Sequence, residues 1–124
     1  MPSATDEKLF GNVYNWTAVV SNKLTTAVAS IKAAPGANIR VVLTDLIVTN
    51  SNTAGGVVVT LQDHAATALV VAYIPAEGGF VKTFKKPILL TANLALEVIL
   101  GSALTTNGVY ITACGYLENV TSTN

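Results

Sequence analysis

The sequence predicts an all-β fold, an antiparallel β-sandwich of jelly-roll-like form with about eight strands. Two observations carry that expectation. Thr, Val, Ala and Asn dominate, and apolar residues recur with period two or in short continuous runs, the patterns of half-buried and fully buried strands. Segments rich in Gly, Pro, Asn and Ser separate those runs at short intervals, the spacing of a sandwich, jelly roll or small barrel. A helix would need 3.6-residue periodicity over about three turns. Only Thr25–Ala34 approaches it, and its β-branched residues favour a strand there too.

Residues 1–25 read as an N-terminal arm that either packs across its own domain or reaches a partner. They are richer in Asn and Ser than the rest and hold the only tryptophan, Trp16, together with Leu9, Phe10, Val13 and Tyr14. Residues 26–118 read as the sandwich domain. Its first strand is Thr26–Lys32, ended by APGAN (Ala34–Asn38). Ile39–Asn50 follows, apolar in both phases: Ile39, Val41, Leu43 and Ile47 in one, Val42, Leu46 and Val48 in the other. A sandwich strand needs only one apolar face, so this surplus predicts a second covering layer. After NSNTAGG (Asn50–Gly56), Val57–Gln62 opens on three valines, and QDHAAT (Gln62–Thr67) turns into Ala68–Ile74. PAEGG (Pro75–Gly79) leads to Gly79–Phe84, KKP (Lys85–Pro87) to Ile88–Leu90, and TAN (Thr91–Asn93) to Ala95–Leu100. GSALTTNG (Gly101–Gly108) precedes Val109–Leu117, which alternates cleanly, and residues 119–124 form a polar tail.

At 124 residues the chain is long enough for one domain with its own core. Seven basic residues balance seven acidic ones, so no global field draws it to nucleic acid or to an anionic membrane. Charged residues make up 11% against about 25% in an ordinary soluble domain, and hydrophobic residues 51%, with mean hydropathy +0.53. A surface so poor in charge predicts that part of it is covered by other chains. The longest apolar runs fall short of the ~20 residues of a spanning helix, and the first residues lack the apolar core of a secretory signal. A single cysteine, Cys114, excludes an internal disulfide framework and reads as a buried, inert thiol.

The candidate chemistry is thin. YIPAEGGFVKTFKKPILL (Tyr73–Leu90) sets a Gly-Gly pair beside three lysines, but a phosphate loop needs glycines running into a helix at fixed spacing from a Lys. Here they run into an alternating segment, and Lys82 and Lys86 share a phase that Lys85 does not. The stretch reads as the rim of an edge strand guarded by lysines. His64 is the only histidine, with no second histidine or paired cysteine to build a zinc site. It reads as an exposed turn residue beside Asp63. Asp45 and Glu97 fall inside strands, free to pair with Arg40 or with each other; a glycosidase would need two carboxylates across one cleft. No nucleophile-elbow motif accompanies His64, and only Phe80 and Phe84 interleave with lysine as a single-strand nucleic-acid groove would require. The expectation is a non-enzymatic protein with no cofactor and no metal.

Three stretches together carry a resemblance: IKAAPGANIRVVLTDLIVTNSNTAGGVVVTLQD, VVAYIPAEGGFVKTFKKPILLTANLALEVIL and GVYITACGYLEN. A strand ending in Val-Thr-Asn passes through a Ser/Thr/Gly turn to a Val-rich strand ending in Asp, then to a Tyr-x-Pro-x-x-Gly-Gly rim. In this order, from Ile31 to Leu117, the chain resembles the small all-β virion structural proteins of tailed bacteriophages, of the capsid decoration (cement) type. The resemblance implies a jelly-roll-like subunit located on the virion and assembled in the bacterial host cytoplasm. It further implies a homo-oligomer, a trimer, bound to the major capsid protein or other virion subunits. Within that reading Leu9, Phe10, Val13, Tyr14 and Trp16 are the expected partner contacts, because aromatic side chains make the strongest interface anchors. The alternatives are a fibre or tail component, or a receptor- or glycan-binding module using the loops Asn50–Gly56 and Gly101–Gly108, whose Asn, Ser and Thr suit hydroxyl recognition.

Overall fold

A computed structural model describes residues 14–120. They form eight strands: β1 (Tyr14–Lys23), β2 (Ala29–Lys32), β3 (Ile39–Asn50), β4 (Val57–Asp63), β5 (Ala68–Ile74), β6 (Gly79–Leu89), β7 (Leu96–Leu100) and β8 (Val109–Asn119). No described residue is helical, so no helix is long and apolar enough to cross a membrane. Two four-stranded sheets result, sheet A in the order β1-β8-β3-β6 and sheet B in the order β2-β7-β4-β5, antiparallel throughout.

The pairings have a simple logic. β4 and β5 form a hairpin, and working outward from it β3 pairs with β6, β2 with β7 and β1 with β8. This is one long antiparallel ribbon. Rolling it up brings β8 against β3 and β7 against β4, which closes the two sheets. A ribbon of this kind rolled into two packed sheets is a jelly roll, the fold expected from the strand count and spacing.

The core lies between the sheets. Val41, Leu43, Leu46, Val48, Val109, Ile111 and Ala113 fill it from sheet A, and Val57, Val59, Leu61, Leu96, Val98 and Leu100 from sheet B. β3 supplies residues from both of its apparent phases because Leu43 pairs with Gly115 whereas Asp45 pairs with Cys114. Thr44 is thus an extra residue, a bulge that shifts the alternation by one place. Val41 and Leu43 before it and Leu46 and Val48 after it therefore all face inward. Much of the surplus apolarity that predicted a second covering layer is core-facing for this reason. Val42 and Ile47 stay on the outer side, where Val42 is sealed between its cross-strand neighbours Tyr116 and Leu89.

Two further differences from the sequence reading have local causes. The segment expected as an arm is, from Tyr14 onward, a strand of the domain itself: Trp16, Ala18 and Val20 pack at the core while Thr17 and Val19 between them face out. The Lys85–Pro87 turn is instead part of β6. Thr83 pairs with Asp45 and Ile88 with Leu43, so β6 carries several more residues than β3 between these points and bulges outward across its proline.

Gly115 sits where β8 passes closest to β3 and Trp16. A Cβ there would lie 1.8 Å from the Val42 carbonyl oxygen and 2.9 Å from the indole Cζ2. Only glycine leaves room for both the strand pairing and the tryptophan. Gly115→Ala should therefore destabilise the domain by about 3 kcal/mol, the upper part of the usual range for overpacking, because backbone must move. Urea unfolding measures this, and an unchanged midpoint would mean that β3, β8 and Trp16 do not meet in this way.

Candidate assembly surface

Cross-strand register assembles the outer side of sheet A into rows. Val19, Thr112, Ile47 and Val81 make one row across all four strands, and Thr17, Cys114, Asp45 and Thr83 the next. Asn15, Tyr116, Val42 and Leu89 form a third, and Tyr110, Thr49 and Gly79 continue the face at the other end. Val81 is 72% exposed and Val19 62%, with Ile47, Leu89 and Tyr110 also open to solvent. Asp45 is the only charged residue in these rows. Its Oδ1 accepts a hydrogen bond from Thr83 Oγ1 at 2.9 Å and its Oδ2 one from Thr44 Oγ1 at 2.9 Å. Beside Ile47 and Val81 a shallow depression of about 390 Å³ continues over Thr49, Glu77 and Gly79.

The Gly-Gly rim lies at the edge of this face. Gly78 N donates to the Pro75 carbonyl at 2.9 Å, closing a tight turn. A Cβ on Gly79 would stand 2.5 Å from the Val48 carbonyl oxygen, so this glycine admits the close approach of β6 to β3. The glycines serve strand packing, and β6, the edge of sheet A, carries Lys82, Lys85 and Lys86. Lys82 lies 6.0 Å from the Phe84 ring.

The residues expected to contact a partner divide. Leu9, Phe10 and Val13 lie outside the described residues. Tyr14 is exposed at the start of β1, with Lys32 Nζ 6.0 Å from its ring. Trp16 is buried in its own domain's core and donates from Nε1 to the Tyr116 carbonyl at 3.2 Å. Its role is packing rather than outward contact, because Gly115 opposite it leaves an indole-sized space. What the sequence reading missed is the outer row of sheet A, since β1 was not recognised as a strand and Val19 had no register. The signal was present as alternation: Trp16, Ala18 and Val20 against Thr17, Val19 and Ser21.

Asp45 and Glu97, expected to be able to pair, sit on different sheets and have different partners. Arg40 pairs instead with Glu118 on the neighbouring strand β8, its Nε donating to Oε1 at 2.6 Å. Glu97 lies on the outer side of sheet B, its Oε2 2.6 Å from His64 Nδ1 and its Oε1 3.4 Å from Gln62 Nε2. Asp63 caps the intervening turn, its Oδ1 accepting from the backbone N–H of Ala65 and Thr67 at 2.9 and 3.0 Å. Among the described residues no group of three His, Cys, Asp or Glu side chains is placed to hold a metal ion.

The loops Asn50–Gly56 and Gly101–Gly108 are neighbours, and the side chains of Asn50, Ser51 and Asn52 are already engaged. Asn52 Nδ2 donates to the carbonyls of Thr105 and Asn107, both at 2.9 Å, while its Oδ1 accepts from Ala54 and Gly55 N–H. Between those two carbonyls Thr106 holds φ +72°, a costly region for a β-branched residue. Asn50 Nδ2 reaches the carbonyls of Gly55, Ile74 and Pro75, and Ser51 Oγ donates to the Gly108 carbonyl. These side chains tie the loops to one another instead of standing ready for a sugar hydroxyl.

No family model and no curated protein matches the chain. Among solved structures it is similar to a chain of a cyanophage Pam1 capsid asymmetric unit, at 15% identity and a TM-score of 0.40, over 85% of this chain and 84% of that one.

Two outcomes follow from these contacts. Asn52→Ala removes four hydrogen bonds from a buried site and leaves two carbonyls and two N–H groups to find new partners, so stability should fall by about 2–4 kcal/mol in chemical denaturation. The second outcome concerns pH. The hydrogen bond to Glu97, and then its negative charge, raise the His64 pKa above the ordinary 6.5, with a smaller upward push from Asp63. A raised imidazole pKa gives stability that is complete below pH 6.5 and is lost as pH climbs through the raised value. The unfolding midpoint of the wild type should thus exceed that of His64→Ala at pH 5.5, with the gap narrowing at alkaline pH. A gap that widens with pH would contradict the pairing.

Proposed function

We propose that this chain is a non-enzymatic structural subunit of a phage virion, a capsid decoration protein that stabilises the head by lying across capsid subunits. The observation that carries the proposal is the outer side of sheet A: a four-strand face with exposed Val19, Ile47, Val81 and Tyr110, whose central rows hold Asp45 as their one carboxylate, with the Arg40–Glu118 pair at one end. A flat face with so little charge costs little to desolvate, and burying its branched side chains against another subunit supplies the adhesion. The resemblance of the Ile31–Leu117 motifs to phage virion proteins supports the same reading. Asp45 gives the face its one directional element, matching a donor on the partner surface.

In this proposal Leu9, Phe10, Val13 and Tyr14, from the segment that reads as an arm in the sequence, add partner contacts, and the subunits gather as trimers. The protein acts by adhesion alone, without cofactor, membrane or nucleic acid. The engaged side chains of Asn50, Ser51 and Asn52 weigh against the glycan-binding alternative.

Light scattering on a sizing column, at two concentrations, tests assembly directly. The expected mass is three times the 12.8 kDa chain. Ile47→Lys and Val81→Lys, at outward positions that leave the core untouched, should each weaken attachment to capsids of the source phage at least about tenfold, the equivalent of about 1.4 kcal/mol. Full binding by both variants would remove the sheet A face from the mechanism, and saturable glycan binding by the wild type would favour the binding-module reading.

A further inference from the structure

The sandwich has four edge strands; two are protected along their length and a third, β1, only at its end. β2 is four residues long with an interrupted register. β6 carries three lysines, a proline and the outward bulge. β1 breaks its register between Val20 and Lys23, where Asn22 takes φ +50°. Such devices prevent an open edge from pairing with another chain. β5, the edge of sheet B, has none of them along its exposed length. From Ala65 to Ala76 the sequence has no charged residue, and its one proline, Pro75, follows the strand. Its single register irregularity lies near the start, between the pairs Leu61–Val70 and Gln62–Ala68. Beyond it, Val71 is 62% exposed and Tyr73 64%, on the same outer side as Val58 and Thr60 of β4.

We propose that β5 is a self-association edge, pairing antiparallel with β5 of a second copy about a two-fold axis at Val71, so that two copies of sheet B become one continuous sheet. The argument for a second copy is charge matching. In a two-fold antiparallel pair each residue meets its own counterpart or a near neighbour in the same strand, so any charge would oppose its like. An uncharged strand is compatible with itself, whereas β6 paired in the same way would set lysine against lysine. Centred on Val71, the register places Val70 opposite Ala72, Leu69 opposite Tyr73 and Ala68 opposite Ile74, which are apolar pairs throughout. Free N–H and C=O groups along the outer edge of β5 supply the ladder. This contact is separate from the sheet A face. It doubles whatever unit the other surfaces form.

A seven-residue pairing is small beside the ~1,200–2,000 Å² of a standard interface, so the association should be weak and concentration-dependent. The full-length chain, followed by sedimentation and light scattering over a wide concentration range, should double in mass as concentration rises. Val71→Lys, at a solvent-facing position, places two ammonium groups across from each other at the axis and should weaken the doubling at least tenfold. Circular dichroism confirms that the variant is folded. In a Cys114→Ala background, Val71→Cys should cross-link copy to copy with a short bifunctional maleimide, and Val81→Cys should not. A wild type that never doubles would overturn the proposal, including the case in which residues 1–13 of the same chain cover β5. Doubling that survives Val71→Lys, or equal cross-linking at both positions, would also overturn it.

Discussion

β3 is flanked on both sides by long strands, β8 and β6, and its phase is reset once along its length, at Thr44. The facing of the β3 side chains on either side of it is set by that single extra residue. With it, four large β3 side chains enter the core and the ladder to β8 continues from Ile39 to Asn50. Without it, strict alternation would turn either Val41 and Leu43 or Leu46 and Val48 toward solvent. The bulge also presents the Thr44 hydroxyl to two acceptors, the Cys114 carbonyl and the Asp45 carboxylate, so the irregular backbone is held by side-chain bonds. One inserted residue thus fixes the core and aims the carboxylate that marks the outer face.

The charges are arranged around this scheme. Arg40 and Glu118 pair at one end of sheet A, the lysines of β6 line one edge, and His64, Glu97 and Gln62 sit together on sheet B. Lys23 is buried along most of its length with its ammonium donating to the Ala27 carbonyl, and burial lowers its pKa. Loop geometry is set by amides more than by ions. Asn50 and Asn52 are both buried and fully hydrogen-bonded, which holds two long connections at one end of the sandwich without adding charge to the faces. In a chain with so few charges, buried amides take over the work of fixing loops, because an amide satisfied by backbone carries little of the desolvation cost of an unpaired ion.

Much of the fold was legible in the sequence for a physical reason: strands β3 and β5 are bounded by turn residues whose chemistry is local, and both match the expected limits residue for residue. What was not legible depends on pairing. β1 looks like an arm because three of its outward positions are Asn15, Thr17 and Ser21, and only its ladder with β8 reveals it as a strand. Lys85–Pro87 looks like a turn because proline usually ends a strand, and only the partner strand shows that the chain bulges and resumes. These two errors offset each other in the count of eight strands. The outer row of sheet A was hidden by the same gap, since a face exists only once four strands are in register. Whether Trp16 packs on its own domain or reaches outward was not legible, because the space that receives it is made by Gly115, 99 positions later in the chain.

A surface whose central rows hold one charge in a field of apolar and hydroxyl side chains discriminates by a different logic from a patterned ionic one. Its affinity comes from area and is nearly indifferent to the identity of an apolar partner. Discrimination has to come from whatever is costly when mismatched, and on sheet A that is Asp45. Thr44 and Thr83 each satisfy one lone pair, which leaves the carboxylate under-coordinated once water is removed. A partner offering a donor at that point restores the lost hydration. A partner without one leaves a buried charge unpaired, a penalty larger than several apolar contacts can offset. The same carboxylate disfavours stacking two copies of this face about an axis through Asp45, since like charges would meet there. Sheet A is therefore suited to a different surface, whereas the uncharged edge of sheet B is suited to its own copy. The placement of a single aspartate separates the two kinds of contact.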